Sequence, residues 1–329
     1  DSSAYFQSAN RGKKSVTADL KDKDGCFIVQ ALAQKADVII ENFKVNGLKK
    51  YNLDYASVVK NNPSIVYCSI TGFGQNGPNA KKLGYDFIIQ AMGGIMDLTG
   101  EKGGEPQKPG VAYADLFTGL YSVVAIQSAL LARQATGKGA HIDMSLFDTQ
   151  LGVLANQGAS FLKTGVSPTR MGNSHPVIVP YQKFNVNNGS IIIACGNDEQ
   201  FQKLCIALGW SFHEDIKYKK NKDRVINRLK LVPLIQERLL LLSKSTVLSK
   251  LHKAGVPSGA INSVAEALAE KQAVYREMVY TSNGQSAIRS PILFDTIPLQ
   301  YKHLSPKLGE HTDEIRKKLN NKTFWKSKN

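Results

Sequence analysis

The sequence predicts an α/β protein with a mostly parallel sheet, followed by a smaller α+β domain. Two observations carry this. Helix-period and strand-like segments alternate between residues 24 and 148, the order expected of parallel strands with helical cover. Near residue 170 the texture changes to a hairpin pattern followed by basic helical segments.

The elements follow in order. "DGCFIVQALAQKA" (24–36) spaces its apolar residues as an amphipathic helix does, and "DVIIENF" (37–43) is an apolar run of strand length. "DYASVVKNN" (54–62) predicts a short helix. "PSIVYCSITGFG" (63–74) reads as a strand running into a glycine turn. "LFTGLYSVVAIQSALLARQA" (116–135) is a long, mostly apolar helix that stops at "TGKG" (136–139), where glycine supplies a C-cap. "AHIDMSLFD" (140–148) alternates like a strand, with a helix starting near Asp148. "YQKFNV" and "SIIIACG", joined at "NNG", form a hairpin within 181–201. "EQFQKLCIALG" and "NRLKLVPLIQERLLLL" are helical, "HKAGVPSGAINSVAEALAE" (252–270) is a turn and a helix, and "LGEHTDEIRKKL" (308–319) is a final amphipathic helix. The expected division is 1–174 with 263–329 as a large domain and 175–262 as a small one.

Of the 329 residues, 42% are hydrophobic, which suits one large or two modest cores. No run of 18 or more apolar residues stands out, so no membrane span is expected. No signal peptide is visible, and the abrupt start "DSSAYFQSANRGKKS" reads as that of a fragment. The four cysteines lack metal or disulfide spacing; Cys68 and Cys195 lie in apolar runs and read as small buried hydrophobes. A reducing compartment is expected, a cytoplasm or, in a eukaryote, the mitochondrial matrix. The net charge of +15 favours an anionic partner. The charge is spread out, apart from clusters at 217–224 and 316–328, and no nucleic-acid motif accompanies it. A polyphosphate small molecule is at least as good a partner as nucleic acid.

"GFGQNG" (72–77) matches GxGxxG after a strand, but the helical pattern resumes only near Gly84, too late for a pyrophosphate to face a helix start. The six histidines are scattered, so no metal site is expected. Asp115 stands at the head of the long apolar helix. It reads as an N-cap whose carboxylate accepts from the Leu116–Thr118 amides. It also reads as a nucleophile, since a helix start favours the ionised form and an apolar wall leaves it poorly solvated. "RMGNSHPVIVPYQKF" (170–184) is a glycine- and proline-bearing loop, either a linker or part of a site.

Seven strings in collinear order carry a resemblance: "NRGKKSVTADLKDKDG" (10–25), "ADVIIENFKVNGLKKYNLDY" (36–55), "IVYCSITGFGQNGP" (65–78), "GYDFIIQAMGG" (84–94), "PGVAYADLFTG" (109–119), "TGKGAHIDMSLFD" (136–148) and "GNSHPVIVPYQKF" (172–184). Together they resemble the class III CoA-transferases, the formyl-CoA and carnitine CoA-transferase (CaiB/BaiF) family. "GVAYADLFTGLY", "YCSITGFGQNGP" and "SHPVIVPYQ" are most similar to its succinyl-CoA:glutarate (hydroxymethylglutarate) members.

The resemblance implies a Rossmann-like large domain, a small α+β domain, subunits interlaced as a homodimer, and a further N-terminal segment ahead of "SANRGKKS". It implies Asp115 as nucleophile. It implies CoA contacts from Ala18, Asp19, Leu20 and Lys21, from Asn42 and Phe43, from Lys50, and from Tyr85 and Asp86. It implies a mobile glycine loop at Gly172, Asn173, Ser174 and His175. Arg11, with Lys13, Lys21 and Lys50, is expected near the CoA phosphates, and Arg170 at the distal carboxylate of a dicarboxylate. Asp143 and Asp148 are assigned to structure, as a strand position and a helix cap.

The resemblance implies CoA as a substrate, and no resident cofactor or metal is expected. The expected reaction moves CoA from an acyl-CoA to a carboxylic acid through an aspartyl-CoA thioester, with amides of the 172–175 loop stabilising the oxyanions. The same fold hosts α-methylacyl-CoA racemases, which use a histidine where Tyr85 stands; without an imidazole there, proton exchange is poorly supported. Neither nucleic acid nor membrane is expected as a partner.

Overall fold

The computed structural model describes residues 3–282, 285–297 and 304–320, so most of the basic cluster at 316–328 lies outside the described residues. The chain divides into two compact units. One comprises residues 1–97, 107–168 and 276–329, the other 98–106 and 169–275. The second unit thus begins earlier and ends later than the expected 175 and 262, and takes in a short excursion at 98–106.

The first unit is built on three parallel strands in chain order, β1 (Val38–Glu41), β2 (Val66–Thr71) and β3 (Ala140–Ser145). Their register pairs Val38 with Val66 and Val66 with Ala140. The central strand is the apolar one, as a strand covered on both faces must be: Val66, Tyr67 and Cys68 are buried. The Tyr67 hydroxyl donates to the Leu53 carbonyl at 2.7 Å, and burial raises its pKa.

Helices α1 (Lys23–Ala33), α2 (Asp86–Met92), α3 (Tyr113–Thr136) and α4 (Leu146–Gly152) cover the sheet, and α5 (Ala155–Thr164), which buries no residue, follows them. The expected helix at 54–62 is a single turn, Tyr55–Val58. Asn62 spends its side-chain amide on the Ala33 and Ala36 carbonyls, and Pro63 follows.

α3 runs 24 residues and ends on Gly137 in the left-handed region, whose N–H returns to the Arg133 carbonyl at 2.8 Å. Ala114, Thr118, Ser122 and Ile126, four apart, are its buried face. Its other face exposes Leu116, Leu120, Val123, Val124 and Leu131. By length and composition alone α3 could cross a membrane, contrary to the sequence expectation, although its buried face packs against the sheet. The difference comes from small residues such as Gly119, Ala125 and Ser122, which interrupt the apolar run without making the helix polar.

A clasp closes the first unit. The helix Thr312–Asn320 and the turn before it bond back to residues 14–24. Ser15 and His311 exchange main-chain and ring bonds, Thr17 meets Thr312, and Lys14 and Asp24 pair with Glu314 and Arg316.

The second unit has its own antiparallel sheet, β4 (Tyr181–Val186), β5 (Gly189–Ala194) and β6 (Ser258–Ala260), with β5 central. The hairpin at "NNG" forms as its sequence predicts, while β6 lies in what reads as a turn. Three helices, α6 (Asp198–Leu208), α7 (Arg228–Leu240) and α8 (Lys244–Lys253), bury Leu204, Ile235 and Leu251 against Ile191 and Ile193. Each such side chain contributes about 1.5–3 kcal/mol.

Arg224 is wholly buried, stacks on Phe201 and donates to the Val179, Tyr218 and Lys219 carbonyls and to Asp198. Burial alone would raise the Asp198 carboxyl; the Arg224 bond and charge, the Asn221 amide and Lys220 outweigh it, and its pKa falls. All four cysteines are free. Burial pushes Cys195 up to about 12 and Cys205 up to about 11, so both stay thiols.

Candidate functional site

Ligands of parallel sheets bind beyond the carboxyl ends of the strands. The first unit has a cavity of about 680 Å³ there, within the range of small-molecule sites. Ile40 to Val45 line it from the end of β1, Ile70 to Gly72 from the end of β2, and Leu146 from the end of β3. Ala80 to Asp86 close one side, and Asp115, Thr118 and Gly119 of α3 another. The turn between them needs glycine at two facing positions, because a Cβ on Gly72 would lie 2.6 Å from the Gly84 Cα. Asp143, at the end of β3, accepts the Gln75 amide with both carboxylate oxygens (3.1 and 3.0 Å) and so pins the same turn.

Of the residues the sequence singled out, the cavity brings together Asn42, Phe43, Tyr85, Asp86 and Asp115. Phe43 and Tyr85 are 51% and 68% exposed, two aromatic rings left facing a cavity rather than a core. Ala18, Asp19, Leu20 and Lys21 lie outside this lining, in the segment held by the clasp; the Asp19 carboxylate accepts from the Lys21 amide. Lys50 is also outside, over the Tyr51 ring at 4.7 Å. Arg11 donates to the Ile288 carbonyl and Lys13 to Asn10.

Sequence reasoning missed Lys44, Lys81 and Lys82, which put three ammonium groups on the lining. The signal was there for Lys44, three residues past the end of β1, where parallel sheets bind ligands; Lys81 and Lys82 lie ten and eleven residues past the end of β2 and gave none.

Asp115 is not an N-cap. The helix begins two residues earlier, at Tyr113, with Ala112 in the cap position, and Asp115 sits in its first turn. Asp86 caps this helix from elsewhere: its Oδ1 accepts from the Ala114 amide at 2.8 Å and the Asp115 amide at 3.2 Å. The electrostatic expectation also reverses. Burial, and then the Asp86 charge, raise the Asp115 carboxyl above the ordinary aspartate value. Asp148 likewise is no cap; Ser145 holds that position and accepts the Asp148 amide at 3.2 Å.

The family model for CoA-transferase family III matches residues 1–312. The chain belongs to the class III CoA-transferase family. Succinate–glutarate CoA-transferase of Agrobacterium fabrum is 45% identical, over 97% of this chain and 81% of its own. Acetyl-CoA:oxalate CoA-transferase of Acetobacter aceti is 37% identical, over 97% of this chain and 83% of its own. A crystal structure of a CAIB/BAIF family protein from Brucella suis superposes with a TM-score of 0.93 at 53% identity, covering 97% of this chain and 85% of that one.

The remaining expected residues of this CoA-transferase lie in the second unit. Arg170 donates its Nε to the Gly104 carbonyl at 3.0 Å. Gly172 has φ +60, its amide donates to the Gly100 carbonyl at 2.9 Å, and a Cβ there would meet the Glu101 carboxylate at 2.7 Å. The Ser174 amide donates to Met171 and the His175 amide to Tyr181. The expected oxyanion donors of Gly172, Ser174 and His175 are therefore committed within their own unit. Asn173 stands in the turn between them.

Proposed function

We propose that this chain transfers CoA from succinyl-CoA to glutarate or a similar dicarboxylate, with Asp115 as the covalent nucleophile. The observation that carries the reading is the place of the Asp115 carboxyl: it lines the strand-end cavity with its pKa raised. A more basic carboxylate is the better nucleophile once ionised. The names of the relatives support the donor and acceptor, and the place of Asp115 in the cavity lining supports its choice as nucleophile.

In the proposed reaction an Asp115 oxygen attacks the thioester carbonyl, the C–S bond breaks, and CoA leaves as thiolate. The thiolate attacks the Asp115 Cγ, and the donor acid leaves as carboxylate. The acceptor carboxylate then attacks the aspartyl-CoA thioester, and the same steps run backwards to give the new acyl-CoA. Dividing one exchange into covalent steps of similar difficulty lowers each barrier. Lys44, Lys81 and Lys82 set three cations on a lining that also carries Glu41, Asp86 and Asp115, and ammonium groups suit the phosphates of a polyanionic CoA.

We further propose that two copies interlace. The support is the apolar outer face of α3.

Mass spectrometry of the chain incubated with succinyl-CoA tests the reading. A CoA adduct released by hydroxylamine is expected on the peptide containing Asp115. An adduct on another residue, with turnover intact, overturns the assignment.

A further inference from the structure

The turn that carries Asp115 is fastened by a residue far off in the chain. A helix start leaves its first N–H groups without partners, and Ala112 has no side-chain oxygen to offer them. Asp86 Oδ1 takes two, from Ala114 and Asp115. Its Oδ2 accepts the side-chain amide of Gln90, one turn along α2, at 2.6 Å. Gln90 is fully buried, and its own Oε1 has no partner among the described residues. An apolar residue at 90 would avoid the desolvation of that unpaired oxygen. What the glutamine gains for that cost is a fixed Asp86 carboxylate.

We propose that Asp86 and Gln90 are positioning residues for Asp115: the Asp86 carboxylate ties the first turn of α3 to α2, and the Gln90 amide holds that carboxylate in place. The inference rests on the reading of Asp115 as nucleophile. It differs from the direct CoA contact that the resemblance implies for Asp86, whose two oxygens already accept three bonds. The tie has an electrostatic side. The other charged or titratable groups of the lining are Glu41, Lys44, Lys81, Lys82 and Tyr85. Among all of these it is the Asp86 charge that, after burial, raises the Asp115 carboxyl.

Asp86→Asn and Gln90→Met in the full chain separate the roles. Asparagine keeps an oxygen for the helix amides and loses the charge; Gln90 can turn its unpaired Oε1 towards the new amide. Three readouts apply: steady-state transfer from succinyl-CoA, its pH profile, and the ¹³C titration of the Asp115 carboxyl, assigned with Asp115→Asn. For Asp86→Asn, the acid limb of kcat/KM and the Asp115 titration should both move to lower pH. For Gln90→Met, kcat should fall about 10-fold with KM for succinyl-CoA within about 2-fold, the mark of lost orientation.

An unmoved Asp115 titration in Asp86→Asn, or wild-type kcat in Gln90→Met, overturns the proposal. So does a loss confined to KM, which would make Asp86 a CoA contact. Should Asp86→Asn fail to fold, Gln90→Met decides alone. The titration does not depend on catalysis. If it moves while Asp115→Asn still transfers CoA, the nucleophile reading falls and the tie between Asp86 and Asp115 stands.

Discussion

At Asp115 two needs of the proposed carboxylate nucleophile pull against each other. It must be reachable, and its residue is exposed at the cavity; it must also shed water, and the surrounding protein raises its pKa before the Asp86 charge adds to the effect. A carboxyl whose pKa is raised by folding binds its proton more tightly in the native state. Its contribution to stability is present below the unfolded value and is lost as pH rises through the folded one. At neutral pH the charge is thus a cost of folding that serves the chemistry. Asp115→Asn should lower CoA transfer by roughly 10³-fold or more, as loss of a covalent nucleophile does. Its melting temperature at pH 7 should be no lower than that of the wild type. Assay and thermal unfolding of the same preparation check both, and a destabilised variant would refute the electrostatic account.

Among the elements, the clasp between residues 14–24 and 309–316 has a pH signature. Bonding to Lys14, and then to Lys318, lowers the Glu314 carboxyl to about 2. A depressed carboxyl stabilises the fold above its unfolded pKa of about 4.3, and that contribution is lost as pH falls towards the folded value. The clasp should loosen between about pH 4 and pH 2. Glu314→Gln should show the same loosening at neutral pH, read as faster limited proteolysis within residues 14–24; unchanged cleavage would sink the idea.

Elements with a local cause were legible in the sequence. The first two parallel strands announced themselves as short apolar runs and the third by its alternation, and Gly137 ended α3 where a glycine cap was expected. The start of α3 was misread because its cap comes from Asp86, 29 residues before Asp115, and no local pattern records such a bond. The single turn at Tyr55–Val58 was overestimated because Asn62 answers to carbonyls of α1 and its end. Asp115 stood out by its place at the head of an apolar helix, but its cavity companions Asn42, Phe43, Tyr85 and Asp86 were legible only through the family resemblance, since their strings come together in space through the sheet.

For the whole molecule, each unit has a buried core of its own, and yet large apolar side chains remain outside. Leu116, Leu120, Val124 and Leu131 follow one another at four- and seven-residue steps down α3, a stripe of the kind that a partner covers. The proposed interlaced dimer makes this stripe an interface. Val124→Arg should convert a dimer to a monomer in light scattering, because an unpaired buried charge is too costly to keep. A variant that remains dimeric would place the interface elsewhere. The +15 charge acts at this scale too, since a net positive protein attracts anionic ligands at long range.

Gly72 and Gly84, back to back in the cavity wall, have a consequence for how such a protein changes over generations. Neither position can accept a side chain until the backbone has shifted at the other, so a change at one is expected to need a change at both. Lysines on the loops beside them carry no such restraint. The charge of the lining can change there, one residue at a time, while the wall beneath keeps its course.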